Sequence, residues 1–463
     1  MKFKKSVKKE GKLIEKARKY SIYEGSSYAA MDGFGYRYVS PFANNYLKSN
    51  AMHMGLLSSL PGLFASLSEL LSLRFIEKYP RKKIVMAGTI LQALMWIPMI
   101  LLGLFFIDNQ YYKELFPWLL IIVYILLISF GAFGRPAWNS WMRDLTQKNT
   151  DTFFGKRNRI VGGIALVCFF IAAFILDSYG KAFVGFALIF SLAFIGRIFS
   201  TFFFSKQYEP KIKLKKGYYF SFKDFIKEMP HRNFGNYVLF SSTITFAVAI
   251  ASPFFTVYML NYLNFNYVSY MAVILCSSIT SLVFMPLWGK VGDKFGNVRI
   301  MKICGSLIFL VPLLWFISYF IFDINSIYLL IFLILTEIIS GLVWSGFNLS
   351  SSTFAYHAVS RERMALCVAY EGLTTSFGAL LGALLGGYIA SLKIDIFGMK
   401  SIMFVFILSA LLRIFFFMIF INRFKEVRTV EKGFSMKRFI YSLPRQTLVG
   451  MGIKRFGHPG HEH

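Results

Sequence analysis

Runs of roughly twenty apolar residues recur from about residue 21 to residue 422, and each is long enough to cross a bilayer core of about 30 Å as a helix. Inside lipid every backbone N–H and C=O must find a partner within the protein, so serial runs of this length can fold only as a stack of helices. Reading apolar runs against charged breaks places twelve spans, near 21–47, 52–73, 84–107, 116–142, 160–177, 182–204, 234–262, 266–289, 303–322, 327–355, 364–392 and 401–422. The first twenty residues are basic, but Glu24, Ser26, Ser27 and Asp32 make the following run too polar for the apolar core of a cleaved signal. It is read as a retained first helix.

The chain has 51 Lys and Arg against 23 Asp and Glu, a net charge of +28. Taken alone this suggests a polyanionic partner, yet a chain that is 56% hydrophobic cannot be a soluble nucleic-acid-binding domain. The bases follow topology instead. With the N-terminus cytoplasmic, alternate loops hold 42 of the 51, and the intervening loops hold only Lys48, Lys113, Lys181, Lys393 and Lys400. By the positive-inside rule both termini are cytoplasmic. The four cysteines, Cys168, Cys276, Cys304 and Cys367, sit inside apolar runs, where they read as small buried hydrophobes and not as a metal or redox site.

The longest internal linker, 205–233, is rich in lysine and follows the sixth span, dividing the chain six plus six. The expected organisation is a basic segment 1–20, a six-helix bundle 21–204, the linker 205–233, a second six-helix bundle 234–422 and a basic tail 423–463. Duplicated halves are common in transporters, and the short loops after spans 2 and 8 show a trace of one. The second reads Gly289-x-x-Gly292-Asp293-Lys294-Phe295-Gly296-x-x-Arg299; the first places Glu77, Lys78, Tyr79, Pro80, Lys83 and Ile84 in register with it.

The 289–299 loop resembles the signature of the major facilitator superfamily, Gly-x-x-Gly-Asp-(Arg or Lys)-aromatic-Gly-x-x-(Arg or Lys), at nearly every fixed position. The first copy departs from it: Leu73 and Ile76 replace the glycines, Glu77 the aspartate and Pro80 the last glycine. The resemblance implies an all-α membrane protein with twelve transmembrane helices in two pseudo-symmetric bundles, alternating access, and a cavity lined by spans 1, 4, 7 and 10. It also implies that Asp293 meets the start of span 5 near Lys156, Arg157 and Asn158, and that Glu77 meets the start of span 11 near Arg361 and Arg363. The physics of such a turn needs no family. Glycine tolerates positive φ, as Gly296 would supply, and a carboxylate is favoured against the unpaired N–H groups of a helix start.

Charged side chains within spans cost about 2.5–3.5 kcal/mol on insertion scales, so those present mark candidate sites. They are Glu24, Asp32 and Arg37 in span 1, Glu69 in span 2, Arg135 in span 4, Glu337 in span 10 and Glu371 in span 11. Arg197 and Arg413 lie toward span ends and are expected to snorkel. Helical periodicity groups Glu24, Tyr28, Asp32 and Tyr36 on one stripe of span 1, with Arg37 about 140° away from Asp32 and so not its partner within the helix. Span 4 offers Tyr124, Gly131, Arg135 and Asn139, with Pro136 expected to kink it. Span 10 offers Glu337, Gly341, Trp344, Asn348 and Ser351, the stripe best suited to face a cavity; span 7 adds Asn236 and Thr243.

Two pairings follow as expectations. Asp32 and Arg135 lie at similar depth and could form an ion pair for which substrate or proton competes, or a static structural one. Gly55, Ser58, Gly62, Ser66 and Glu69 form one small-residue seam, and Glu371, Thr375, Gly378, Gly382 and Gly386 another. If spans 2 and 11 pack together, Glu69 and Glu371 could share a proton, since adjacent carboxylates resist double ionisation.

The reading is a secondary transporter for a small organic solute, with protons as the candidate coupling ion given the acids in the spans; facilitated diffusion stays open. It needs no cofactor and no metal, and its partners are the solute, protons and the lipid bilayer, with no nucleic acid. A monomer in a prokaryotic plasma membrane is expected. The glycine-proline pattern of the superfamily's drug antiporters is missing from span 5, which has Gly162-Gly163 and no proline. Two alternatives remain, a polytopic enzyme acting on a lipid-linked substrate and a transporter-fold sensor without flux. The tail from 433 is read as a short amphipathic helix, and the terminal His458, His461 and His463 as a disordered end.

Overall fold

A computed structural model of the chain describes residues 2–76, 78–108, 113–146, 150–179, 183–210, 221–321, 327–359, 363–392, 395–396 and 399–430. Nearly all of them are helical. The order is α1 (Lys2–Met31), α2 (Arg37–Pro41), α3 (Ala51–Ile76), α4 (Arg81–Leu94), α5 (Trp96–Asp108), α6 (Leu115–Phe133), α7 (Arg135–Thr146), α8 (Thr150–Ser178) and α9 (Phe183–Lys206). There follow α10 (Phe222–Glu228), α11 (Asn233–Val257), α12 (Tyr267–Phe295), α13 (Asn297–Gly305), α14 (Leu310–Ile321), α15 (Ile327–Ala358), α16 (Met364–Ser391) and α17 (Ser401–Phe420). A two-residue hairpin, β1 (Asp395–Ile396) against β2 (Met399–Lys400), precedes α17.

Among the described residues eleven helical runs are long and apolar enough to cross a membrane, one fewer than expected. The missing one is 21–47. It is helical, but Glu24, Asp32 and Arg37 interrupt its apolar character, and two π-helical turns, Asp32–Tyr36 and Phe42–Tyr46, interrupt its period. Large apolar side chains face outward along the other spans, among them Ile122 and Phe174, as a lipid solvent requires. The expected kink in span 4 is present: the helix breaks at Gly134 between α6 and α7, immediately before Arg135 and Pro136, where proline leaves a carbonyl one turn earlier without its donor.

The chain forms two compact units. The first comprises residues 1–225, 241–271 and 361–409; the second comprises 226–240, 272–360 and 410–463. In the first unit α3 packs against both α6 and α16, and α1 against α9 and α8. Its aromatic core gathers Phe42, Tyr46, Trp96, Phe186 and Phe190. Spans 2 and 11 do meet, through Ser66 and Ser376, whose hydroxyls are 3.0 Å apart, and where Gly55 closes on the Ala383 carbonyl. The glycine seam of α16 faces elsewhere. A Cβ at Gly378, Gly382 or Gly386 would lie 2.5, 2.1 and 2.1 Å from the carbonyls of Ser242, Phe246 and Ile250 on α11. A helix has two packing faces; the seam serves α11, and Ser376, Ala383 and Gly387 serve α3.

In the second unit α13 and α14 pack on α15, and Tyr237, Phe240, Phe347, Phe354 and Phe424 form the aromatic core. The 289–299 turn lies here, and Gly296 takes the positive φ expected of it, +92°.

One repeat escaped the comparison of loops. Asn45-Tyr46-Leu47-x-x-Asn50 recurs as Asn261-Tyr262-Leu263-x-x-Asn266, and the two copies fold alike. Each tyrosine ends a π-helical turn, Phe42–Tyr46 or Tyr258–Tyr262. Lys48 and Asn264 both take positive φ, 56° and 51°. Asn50 and Asn266 each accept, through the side-chain oxygen, the N–H three residues on, at 2.9 Å from His53 and 2.8 Å from Ser269.

A buried Glu24–Arg157–Arg197 cluster and its cavity

The cavity of interest lies within the first unit. It has a volume of about 270 Å³ and is walled by α1, α4, α6, α7, α8 and α9, with Tyr36 from the first π-turn; its polar lining includes Glu24, Tyr28, Tyr36, Gln92, Arg135, Arg157 and Arg197. Glu24 is 3% exposed. Its Oε2 accepts from Arg157 Nη2 at 3.1 Å, and its Oε1 accepts from Ser200 Oγ at 3.2 Å with Arg197 Nη1 at 4.0 Å. Arg157 also donates Nε–H to the Ser21 carbonyl, and Arg197 donates Nη1–H to Ser200. Each guanidinium lies 5.1 Å from an aromatic ring centroid, Arg157 over Trp138 and Arg197 over Tyr28. The local sequence permits this. A Cβ at residue 25 would sit 2.5 Å from Arg157 Nη2, so the glycine beside Glu24 is what lets the arginine reach the carboxylate.

Two buried polar atoms on the cavity wall are unsatisfied. Gln92 is 2% exposed and its Nε2 bonds Tyr36 Oη, yet its Oε1 has no partner; Arg197 is 5% exposed and its Nε–H has none.

The expected pairings are rearranged. Arg135 pairs not with Asp32 but with Glu69, 2.7 Å from Nη1 to Oε1, because α3 and α7 are neighbours and Arg135 begins a new helix after the break. The Glu69 carboxylate is thereby engaged by a base. Asp32 and Arg37 are separated by the π-helical turn Asp32–Tyr36, which widens the helix locally. Arg37 also lies 5.4 Å from the Phe169 ring centroid. Arg197 and Arg413 do not snorkel: they are 5% and 2% exposed, and Arg413 donates to the Ile308 carbonyl at 3.0 Å.

On α15 the supposed stripe divides. Glu337 accepts from Trp315 Nε1 at 3.2 Å, and Gly341 is pressed on α12, where a Cβ would lie 2.3 Å from the Ser277 carbonyl. Trp344 packs against Phe347, Ser351 meets the Tyr237 hydroxyl, and Asn348 is exposed. Asn236 ties the turn that precedes α11 to the helix by donating its side-chain amide to the Pro230 and Arg232 carbonyls.

The 289–299 turn is held by the chain that follows α17. Glu426 Oε2 accepts the Val298 N–H at 3.1 Å, and Arg428 donates to the Gly292 carbonyl at 3.1 Å. Asp293, with its side chain 82% exposed, has Arg428 as its basic neighbour at 3.8 Å. Gly289 and Gly292 lie against Leu349 and Asn297, Lys294 lies over the Phe295 ring, and Arg299 is half-buried. Lys78 continues the end of α3 with its N–H on the Phe75 carbonyl. Glu77, Arg361, the 433–443 segment and the terminal histidines lie outside the described residues.

Sequence reasoning named Glu24 but passed over Arg157, Arg197, Gln92 and Ser200 as its companions. The available signal was Arg197 and Ser200 one turn apart within an apolar run, with Gly25 next to the acid.

The sequence profile of the Major Facilitator Superfamily matches residues 25–233 and 237–450. The chain belongs to that superfamily. No curated protein sequence matches it. Among solved structures it is similar to a mutant of the nucleoside transporter NupG, at 15% identity and a TM-score of 0.69, covering 89% of this chain and 100% of that one. A bacterial homologue of the iron transporter ferroportin in an inward-facing state gives 13% and 0.65, covering 89% and 99%. A bacterial homologue of the human lysosomal transporter Spinster gives 12% and 0.59, covering 90% and 99%. This superfamily member is thus an integral multi-pass membrane protein of transporter fold, and not an enzyme by kinship.

Proposed function

We propose that this superfamily member carries a small polar organic solute across the bilayer by alternating access, coupled to protons, with both termini on the cytoplasmic side and two six-helix halves, 21–204 and 234–422. The observation that carries the reading is the Glu24–Arg157–Arg197 cluster, one carboxylate and two guanidinium groups buried on the wall of a cavity inside apolar helices. Intramembrane charges at this expense are default candidates for substrate or proton sites. A proton on Glu24 would cancel its hold on both arginines, so the protonation state and the solute that meets the arginines are linked. The Glu69–Arg135 ion pair forms a second tier on the same unit, with Asp32 and Arg37 as further candidates. Glu337 and Glu371 remain candidates for the coupling route, and the 289–299 turn for a cytoplasmic latch. The structural relatives are named for a nucleoside and for iron; so wide a spread leaves the solute to be decided by this chain's own site.

The test is purified protein in proteoliposomes enclosing a pH-sensitive dye, with solutes first selected by thermal shift. Counterflow of labelled solute with co-movement of protons is expected, and Glu24→Gln should retain counterflow while losing the proton signal. Stabilisation by a ligand with no counterflow would overturn transport in favour of a sensor, chemical conversion would favour an enzyme, and counterflow without proton movement would remove the coupling.

A further inference from the structure

We infer that the cavity beside Glu24 is a binding site for a small organic carboxylate, whose anionic end takes over Arg157 and Arg197 from Glu24. The inference rests on the transport reading of the same cavity and names its substrate class.

The cavity wall carries Arg157 and Arg197 against the single carboxylate of Glu24, and Arg135, which pairs with Glu69 at 2.7 Å. The bases are not saturated by it. Arg197 reaches Glu24 only at 4.0 Å, spends one N–H on Ser200 at 2.9 Å, and leaves its Nε–H buried without an acceptor. A guanidinium presents five donors in a planar fork that matches a carboxylate's two oxygens, and a buried donor left unmade is costly. An incoming carboxylate supplies the missing acceptor. A cation would meet three arginines and a Glu24 already engaged by Arg157 and Ser200.

The remaining walls describe the body of the ligand. Tyr28, Tyr36, Trp138 and Phe204 are aromatic, so the anion fits best with an apolar or aromatic portion behind its charge. The unpartnered Oε1 of Gln92 is an acceptor on the same wall, positioned for a hydroxyl or amine borne by the solute. A volume of about 270 Å³ admits a single-ring acid and its substituents. Exchange of carboxylates also explains why Glu24 sits among the arginines: it fills their place when no solute is bound, so that no guanidinium is left buried without a counter-charge.

The probes are benzoate, its neutral isostere benzamide, the cation benzylammonium and inorganic phosphate, each titrated at neutral pH against the detergent-purified full chain by thermal shift. Benzoate is expected to raise the melting temperature saturably, with benzamide and benzylammonium giving apparent affinities at least about tenfold weaker and phosphate weaker than benzoate. Glu24→Gln, which keeps the shape and frees both arginines, should tighten benzoate about tenfold, and Arg197→Gln should weaken it by a similar factor. Should Arg197→Gln fail to fold, Arg135→Gln, at a side chain 59% exposed, should weaken benzoate severalfold. Equal stabilisation by benzamide or benzylammonium, or loss of benzoate binding in Glu24→Gln, would overturn the inference. Labelled counterflow separates it from the transport reading: benzoate bound but not carried defeats transport alone, and a neutral solute carried while benzoate is ignored defeats the carboxylate alone.

Discussion

Asn44 and Asn261 hydrogen-bond each other in both directions, Nδ2 to Oδ1 at 2.7 Å and 2.9 Å, across 217 residues of sequence. Both sit in π-helical turns, and each turn belongs to one copy of the Asn-Tyr-Leu-x-x-Asn repeat. Asn45 adds a bond from its amide to the Tyr267 hydroxyl at 3.0 Å. The same amide chemistry from two related segments closes this end of the first unit. Because each asparagine satisfies the other, removing one leaves the other short of a partner in a part-buried setting. Asn44→Ala and Asn261→Ala should each destabilise by about 1–3 kcal/mol, while the double variant costs clearly less than their sum. A double-mutant cycle on unfolding in denaturant should give a coupling of about 0.5–3 kcal/mol; strict additivity would remove the pairing.

Asp177 works nearby. At the end of α8 its Oδ1 and Oδ2 accept the backbone N–H groups of Tyr267 and Val268, at 2.9 and 3.0 Å, and so cap the first turn of α12. A carboxylate at this place satisfies two of the donors a helix start leaves open and lies at the positive end of the macrodipole. Asp177→Ala should lower stability by about 0.5–2 kcal/mol, and Asp177→Asn by less, because the amide oxygen can still accept. Melting temperatures of the two variants check the order; an Asn variant as damaged as the Ala variant would argue against capping.

These cases show what could be read from residues alone. The stack of spans was legible because lipid permits no other use of long apolar runs, and Gly296 was legible because a tight turn requires positive φ. The idea of a carboxylate on a helix start was also sound within the first unit, where Asp177 realises it on α12. The site was less legible. The π-turns of the first span are not written in hydrophobic pattern, and Arg135 found Glu69 because the break at Gly134 changes the helix that presents it. Arg197 was discounted for its distance from the centre of a span, a rule that fails when a buried acid is waiting beside it.

Glu24 is therefore the acid whose removal should be felt most. Glu24→Ala leaves Arg157 and Arg197 buried without their counter-charge and should cost about 3–5 kcal/mol. Glu24→Gln keeps the side-chain volume and one acceptor oxygen while losing the charge that holds the arginines, and should cost less. Pairing Glu24→Ala with Arg157→Met should recover part of the loss, since an apolar chain of similar length leaves one buried charge fewer. Expression and thermal unfolding of the three variants give the test, and a double variant no better than Glu24→Ala would argue against this role for the pair.

The α11–α16 contact offers a prediction independent of the site. Gly386 lies so close to α11 that a Cβ would stand 2.1 Å from the Ile250 carbonyl oxygen, a fixed backbone atom that cannot swing aside. Gly386→Ala should therefore force the helices apart and cost about 1–3 kcal/mol, the usual range for overpacking. Gly163 is the matched control. It lies inside α8 with nothing within 4 Å of its Cβ direction, so Gly163→Ala removes backbone freedom from the unfolded chain without a clash and should stabilise by about 0.4–1 kcal/mol. The two alanines should shift the melting temperature in opposite directions, and a shift of the same sign would show that close approach does not govern this seam.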